Sequence, residues 1–302
     1  MDEMILKMKD VTKHYPAFTL DRVTLSIPRG YIMGFVGKNG AGKSTTIKCM
    51  TDMIRPDSGE IEWFGQAVRE MPAEMKERIG YVSEEPAFYE DMTVEWTGRF
   101  VSGFYRKWEE ALFRKLLNRF QVDPRKKIKE LSRGMKVKLS LALAMAHHPE
   151  LLILDEPTSG LDPVIRSELL DVFREIIQDE RASIFFSSHI TSDIEKVADY
   201  ITLIHNGRIA ASGDKLTVLD QWRLVKADNR YLEPRLEQLL TGVKHGEFGF
   251  SGMTRNIREF EREWKRSFPS ADYKVEKLTL DELLVRMTDE GEAVFGNSGG
   301  TL

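Results

Sequence analysis

Gly37-Lys38-Asn39-Gly40-Ala41-Gly42-Lys43-Ser44 has the form G-x-x-x-x-G-K-[ST], and its reading decides the fold. It stands between an apolar run (Ile32, Met33, Phe35) and a helical pattern through Thr45, Ile47 and Met50, the strand–loop–helix setting in which such a loop cradles phosphates. Its glycines let backbone N–H groups turn inward around a β-phosphate, and the helix adds its positive end. Lys43 is then placed to bridge the β- and γ-phosphates, and the Ser44 hydroxyl to ligate Mg2+.

Upstream, residues 4–35 carry short apolar or alternating runs (Ile5, Leu6, Met8; Val23, Leu25, Ile27) punctuated by Pro16, Pro28 and Gly30, which predicts strands. Downstream, Pro56-Asp57-Ser58-Gly59 turns the chain into a strand over 60–64. Residues 86–148 change texture: Phe100, Phe104, Trp108, Phe113, Leu116, Leu117 and Phe120 recur with helical spacing, which predicts a helical insert. A buried strand over 151–154, a helix over 164–177 and strands over 183–186 and 201–204 follow, an alternation that implies an α/β core. Beyond about residue 220 the pattern restarts as strand (222–225), helix (234–240), strand (247–250), helix (257–264) and strand (273–275), a small α+β appendage. The ending 291–302 is rich in Gly and Ser and is expected to be a disordered tail.

The apolar run at 151–154 ends in Asp155-Glu156, 112 residues after Lys43. Two carboxylates at the carboxyl end of a buried strand suit a cation site: Asp155 to hold Mg2+ through its water shell, Glu156 to act as general base on the attacking water. Taken alone, the pair also has a plain, less favoured reading as caps of the turn before Pro157.

In series, these motifs resemble the ATP-binding-cassette (ABC) family over about residues 4–215. Leu131-Ser132-Arg133-Gly134-Met135, 23 residues from Ser132 to Asp155, looks like its LSGGQ-type signature. Arg133 stands for the first glycine and Met135 for the glutamine, as in bacterial exporter-type cassettes. Ser132 and Gly134 also open a helix, so the chain has a second anion-seeking helix start. Ser159-Gly160-Leu161-Asp162 resembles the D-loop, His189 the switch histidine, and Tyr15 the aromatic that stacks on adenine. Within Gly80-Tyr81-Val82-Ser83-Glu84-Glu85-Pro86, Glu84 occupies the place of the family's Mg2+-contacting glutamine; a carboxylate ligates Mg2+ well but adds negative charge beside the γ-phosphate.

The resemblance implies a P-loop NTPase core, a mixed sheet with flanking helices, joined by an antiparallel β subdomain. It implies an ATPase with Glu156 and His189 catalytic, and ATP held by Tyr15, residues 37–44, Thr45, Ser132, Gly134 and Asp162. Ser44, Glu84 and Asp155 would hold Mg2+. The expected organisation is a nucleotide-binding domain over 1–220 with its helical subdomain at 86–148, and an accessory domain over 221–290. Partners would be a second cassette, identical or related, in a head-to-tail dimer, and a membrane permease, expected to be an exporter, touched through aromatics such as Phe88 and Tyr89. Core packing of those two aromatics is the competing reading.

Composition narrows the alternatives. With 41% apolar residues in 302, the chain has material for a large core and a second unit. The balance of 44 Lys and Arg against 48 Asp and Glu, net charge -4, gives no support to a phosphate-backbone binder, so nucleic acid is not an expected partner. A soluble ABC ATPase acting on nucleic acid or the ribosome is the alternative; such relatives carry two cassettes or long coiled-coil insertions, and neither is seen. Basic residues at Arg255, Arg258, Arg262, Lys265 and Arg266 mark one appendage helix, read as a solvated face before a docking surface. The single Cys49 excludes an intramolecular disulfide and suits a reducing compartment. Residues 1–10 mix acids with apolar residues and have no small-residue cleavage site, which argues against a secretory signal. Apolar runs such as 139–146 fall far short of the ~20 residues needed to span a bilayer. A cytoplasmic location, peripheral on the membrane's inner face through the permease, is the expectation.

Overall fold

The computed structural model describes residues 3–178 and 182–289; the tail expected at 291–302 lies outside them. The chain opens with β1 (Met4–Tyr15) and β2 (Phe18–Pro28), an antiparallel hairpin, then β3 (Ile32–Val36) and α1 (Lys43–Met50). β4 (Ser58–Trp63) returns to pair with β1, and β5 (Gln66–Ala67) extends that sheet to the order β2-β1-β4-β5. After the short α2 (Ala73–Lys76), β6 (Ile79–Val82) enters the central sheet. The helical insert follows as α3 (Val94–Ser102), α4 (Glu110–Arg119) and α5 (Arg133–Met145). Then come β7 (Leu151–Leu154), α6 (Pro163–Ile177), β8 (Ser183–Ser188), α7 (Thr191–Val197), β9 (Tyr200–His205), β10 (Arg208–Asp214) and α8 (Lys215–Asp220).

The central sheet runs β10-β9-β3-β8-β7-β6, with β6, β7, β8, β3 and β9 mutually parallel and β10 antiparallel at the edge. Every residue of β3, β7 and β8 is buried, as continuous apolar strands covered on both faces must be. One face packs against the antiparallel sheet, through Leu151, Ile153, Phe185 and Phe35 with Val11, Leu25 and Trp63. The other packs against helices, through Leu152, Leu154 and Phe186 with Leu170 and Phe173.

In the insert, Phe104 and Trp108, read from spacing as helical, lie in the turn between α3 and α4, which Gly103 closes at the C-cap. Gly98, inside α3, is required by packing: a Cβ there would fall into the ring of Phe113 on α4.

The appendage comprises β11 (Arg223–Ala227), α9 (Pro234–Glu237), β12 (Thr241–Gly246), β13 (Gly249–Thr254), α10 (Ile257–Ser267), β14 (Lys274–Lys277) and α11 (Leu280–Asp289). Its order β12-β13-β11-β14, all antiparallel, is the split βαβ arrangement of β-α-β-β-α-β units. The strand expected at 247–250 is in fact a hairpin tip: Glu247 and Phe248 form the turn between β12 and β13. One sheet face covers α10 through Phe250, Phe260 and Trp264. On the other side α11 lies against both β12 and α7, with Leu280 N–H donating to Glu195 Oε1 at 2.8 Å. Among the described residues no helix is long and apolar enough to cross a membrane.

Glu150, just before β7, bolts two neighbouring segments to that strand: it accepts from Arg78 Nε (2.5 Å) and from Arg29 Nη1 (2.9 Å). The Arg78 hydrogen bond, against the opposing cost of partial burial, holds its carboxyl at about 2, with Arg29 adding to the effect. The folded chain thus binds this proton less readily than the unfolded one. The contribution to stability is complete above the ordinary value of 4.5 and is lost as the pH falls toward 2. Between pH 5 and 3, thermal unfolding of wild type should therefore shift down more steeply than that of Arg78→Met. Separately, Gly98→Ala should cost about 1–3 kcal/mol by overpacking, measurable by denaturant unfolding.

Candidate active site

The site stands at the carboxyl edge of the central sheet. Val36, Ser188, Phe186 with Leu154, and Val82 are register partners along β3, β8, β7 and β6. The chain leaves these strands into the loop 37–44, His189, Asp155-Glu156 and Glu84 respectively, so residues far apart in sequence gather where adjacent parallel strands end.

The loop is set by its glycines and its neighbours. Gly40 and Gly42 have φ of 80° and 112°, in the left-handed region that glycine occupies without a steric penalty. Phe18, at the start of β2, closes over Gly42, and the Ala41 carbonyl accepts from Gly207 N–H at 2.9 Å. Gly207 O in turn accepts from Asp21 N–H at 2.8 Å, so the first hairpin, the β9–β10 turn and the loop are tied together. Tyr15 ends β1 beside this hairpin turn and is 42% exposed, free to offer a ring face. Lys38, Asn39 and Gly40 form the exposed crest; Ser44 and Thr45 are half-buried in the first turn of α1.

Lys43 and Glu156 are both enclosed, at 6% and 5% exposure. Lys43 Nζ donates to the Gly37 carbonyl at 2.7 Å and to that of Lys38 at 3.3 Å, and stands 3.1 Å from Glu156 Oε1. That last approach is close enough for charge attraction but misaligned for a hydrogen bond, so Glu156 Oε1 is a buried oxygen with no hydrogen-bond donor. Glu156 Oε2 sits 2.8 Å from His189 Nδ1. Glu156 itself has φ 48°, a left-handed conformation unusual for a side chain of its size. Strained backbone of this kind is concentrated at functional sites.

Asp155 does not cap the following turn by its side chain; its Oδ1 accepts from Ser187 Oγ at 2.7 Å, while the same hydroxyl accepts from Glu156 N–H at 2.9 Å. Ser187, fully buried in β8, thus holds the Asp155 carboxylate and the Glu156 backbone in place. Sequence reading did not single it out, and the only signal was a serine pair closing the apolar run Ile184-Phe185-Phe186. Burial, with Asp155 nearby, pushes the Tyr81 phenol on β6 up to about 12.

The remaining expected residues are placed elsewhere within the single chain. Glu84 is exposed and lines a small cleft with Glu85, Leu131, Arg133 and Lys136. Among the described residues it makes no hydrogen bond or ion pair to Ser44 or Asp155. Ser132 caps α5 by accepting from Met135 N–H at 3.3 Å, and a Cβ on Gly134 would lie 3.1 Å from Ile165. Asp162 caps α6, accepting from Val164 and Ile165 N–H, both at 3.1 Å. The neighbours of Ser132, Gly134 and Asp162 are therefore one another's helices rather than the loop 37–44.

Comparison with known proteins identifies the family. The family model described as ABC transporter matches residues 20–159. The bacitracin transport ATP-binding protein BcrA of Bacillus licheniformis is 36% identical over 236 residues, covering 77% of this chain and 75% of that protein. The lantibiotic transport ATP-binding protein SrtF of Streptococcus pyogenes is 36% identical over 209 residues, covering 68% of this chain and 89% of that one. A solved ATP-binding subunit of an ABC transporter superposes with a TM-score of 0.65 at 32% identity, covering 72% of this chain and 92% of that one. On the shared sequence and the shared fold, the chain belongs to the ABC transporter family as one of its ATP-binding, ATP-hydrolysing subunits.

Proposed function

We propose that this subunit binds ATP with Mg2+ on residues 37–44 and Thr45, uses Glu156 as general base, and closes as a dimer to drive a membrane-embedded export permease. The observation that carries the reading is the enclosed pair Lys43–Glu156 with the exposed His189 on its outer side, at the mouth of the phosphate loop. With nucleotide bound, Lys43 exchanges the two loop carbonyls for phosphate oxygens. The Glu156 oxygen without a donor is the acceptor for a proton of the attacking water. His189 holds the far side of that carboxylate and is the group placed to meet the γ-phosphate. The ion fits the donors present: the Ser44 hydroxyl and Asp155 carboxylate are hard oxygens, and Mg2+ takes few protein ligands beside phosphates and water. When bound it supplies charge neutralisation of the phosphates. Glu84, on the neighbouring strand end, is the third oxygen donor in this reading.

Ser132, exposed just before α5, Gly134, buried in its first turn against Ile165, and Asp162, at the start of α6, have neighbours other than their own chain's phosphate loop, which supports completion of each site by a second cassette. Head-to-tail pairing would bring a helix start to the other chain's γ-phosphate.

The permease surface is supported by a groove of about 390 Å3 lined by Met71, Tyr81, Phe88, Val101, Tyr105 and Leu143, between the sheet edge and the helical insert. Beside it an aromatic ladder, Tyr89, Trp96, Phe100 and Phe104, has successive ring centroids 5.2–5.8 Å apart. Phe88 packs partly into the core, whereas Tyr89 and Phe104 are exposed, Phe104 at 67%. Such a patch is suited to a helix of a partner. The subunit would then work at the cytoplasmic face of the membrane, and the relatives named for bacitracin and lantibiotic transport support the export role.

The first test compares wild type with Glu156→Gln. The variant should lose ATP turnover by about 100-fold or more while ATP now holds it as a dimer in light scattering; an unimpaired variant overturns the assignment. Replacing Phe104 by Ser should leave ATP hydrolysis of the isolated subunit unchanged and weaken its co-purification with the permease. Unchanged co-purification would remove the ladder from the interface.

A further inference from the structure

Asp193 is a carboxylate with no solvent exposure that the proposed mechanism does not use. It stands in the first turn of α7, four residues after His189. Its Oδ2 accepts from Thr158 Oγ1 at 2.7 Å, and its Oδ1 from Arg166 Nε at 2.5 Å. The same guanidinium donates to Ser192 Oγ at 2.8 Å. Thr158 is itself enclosed, at 1% exposure, two residues after Glu156, while Arg166 lies in the first turns of α6, four residues after Asp162. One buried carboxylate therefore joins the loop that leaves the base, the helix that this loop enters, and the helix that begins just past His189.

A buried ion pair adds little net stability over a well-packed apolar replacement, so its retention is better explained by the geometry it fixes. That geometry needs fixing. The loop from Glu156 to Asp162 contains two left-handed residues, Glu156 and Gly160, with φ 48° and 67°. Backbone of this kind persists only where its surroundings over-determine it. Within the loop, Thr158 is the side chain through which that determination reaches α7.

We propose that Asp193 is a positioning residue for ATP hydrolysis, pinning the loop 157–159 to α7 and so setting how Glu156 faces His189. The inference rests on the reading of Glu156 as base and His189 as its partner on the phosphate side. It assigns no contact with nucleotide to Asp193, Thr158 or Arg166. Loss of the pin consequently acts on turnover and leaves ATP affinity alone.

Thr158→Val removes the hydroxyl at nearly constant shape and leaves the Asp193–Arg166 pair in place; Thr158→Ser keeps the hydroxyl. In the full chain, steady-state hydrolysis, binding of a fluorescent ATP analogue and thermal unfolding are measured for both, with Glu156→Gln alongside. The expected result is a kcat lowered about ten-fold or more in Thr158→Val, ATP affinity within about two-fold of wild type, and Thr158→Ser close to wild type. Thr158→Val turning over like wild type, losing affinity in step with turnover, or being matched by Thr158→Ser would each overturn the proposal. If Glu156→Gln is inactive while Thr158→Val is normal, the pin alone fails. If Glu156→Gln hydrolyses normally, the base assignment fails and the pin with it.

Discussion

Charges taken out of water must be paired, and the enclosed pair of Lys43 and Glu156 shapes the rest of this molecule. Neither belongs to the other's stretch of sequence. Lys43 is delivered by a loop from β3 and Glu156 by the end of β7, with β8 between them supplying Ser187 and His189. That delivery requires adjacent parallel strands in a fixed register, and parallel strands require cover on both faces. The antiparallel sheet and the helices on opposite faces of the central sheet provide it. The polar site is thus a consequence of apolar layers that force several strands to end at one edge.

The part of this arrangement legible in the sequence is the part with strong local chemistry. The loop 37–44 announces itself by glycine spacing, and β7 by four apolar residues before two acids. Ser187, Thr158 and Asp193 were invisible for a common reason: a short polar residue near a strand end or helix start is most often a surface or capping group. Only tertiary structure shows that these three are buried and bonded to one another's segments. Helical spacing misled at Phe104 and Trp108, because aromatic periodicity continues through a tight turn. The position of the appendage hairpin is not legible from Glu247 and Phe248, which look like strand residues; Gly246 and Gly249, which flank them, mark the turn. Ser132, Gly134 and Asp162 were recognised as a set by resemblance, but nothing in their side-chain chemistry tells that they start helices whose near neighbours are each other.

The departure at Arg133 has a local structural partner. Its guanidinium lies over Gly160, where a Cβ would approach Nη1 to 2.7 Å, and the positive φ there is a second reason for glycine. The start of α5 and the loop before α6 are therefore in contact within one chain through this arginine. The two stretches read from the sequence as resembling the signature and the D-loop, 131–135 and 159–162, are thus bridged by one arginine.

The appendage bears on what counts as a module. By topology it is a self-contained split βαβ unit that begins after α8. By burial it is not, since Leu224, Met253, Leu280 and Leu283 share one apolar cluster with Ile194 and Val197 of α7. A seam in connectivity and a seam in energy need not coincide. Cutting the chain at the first would leave the second unhealed: two oily faces would be turned toward water, one of them on the helix that follows His189.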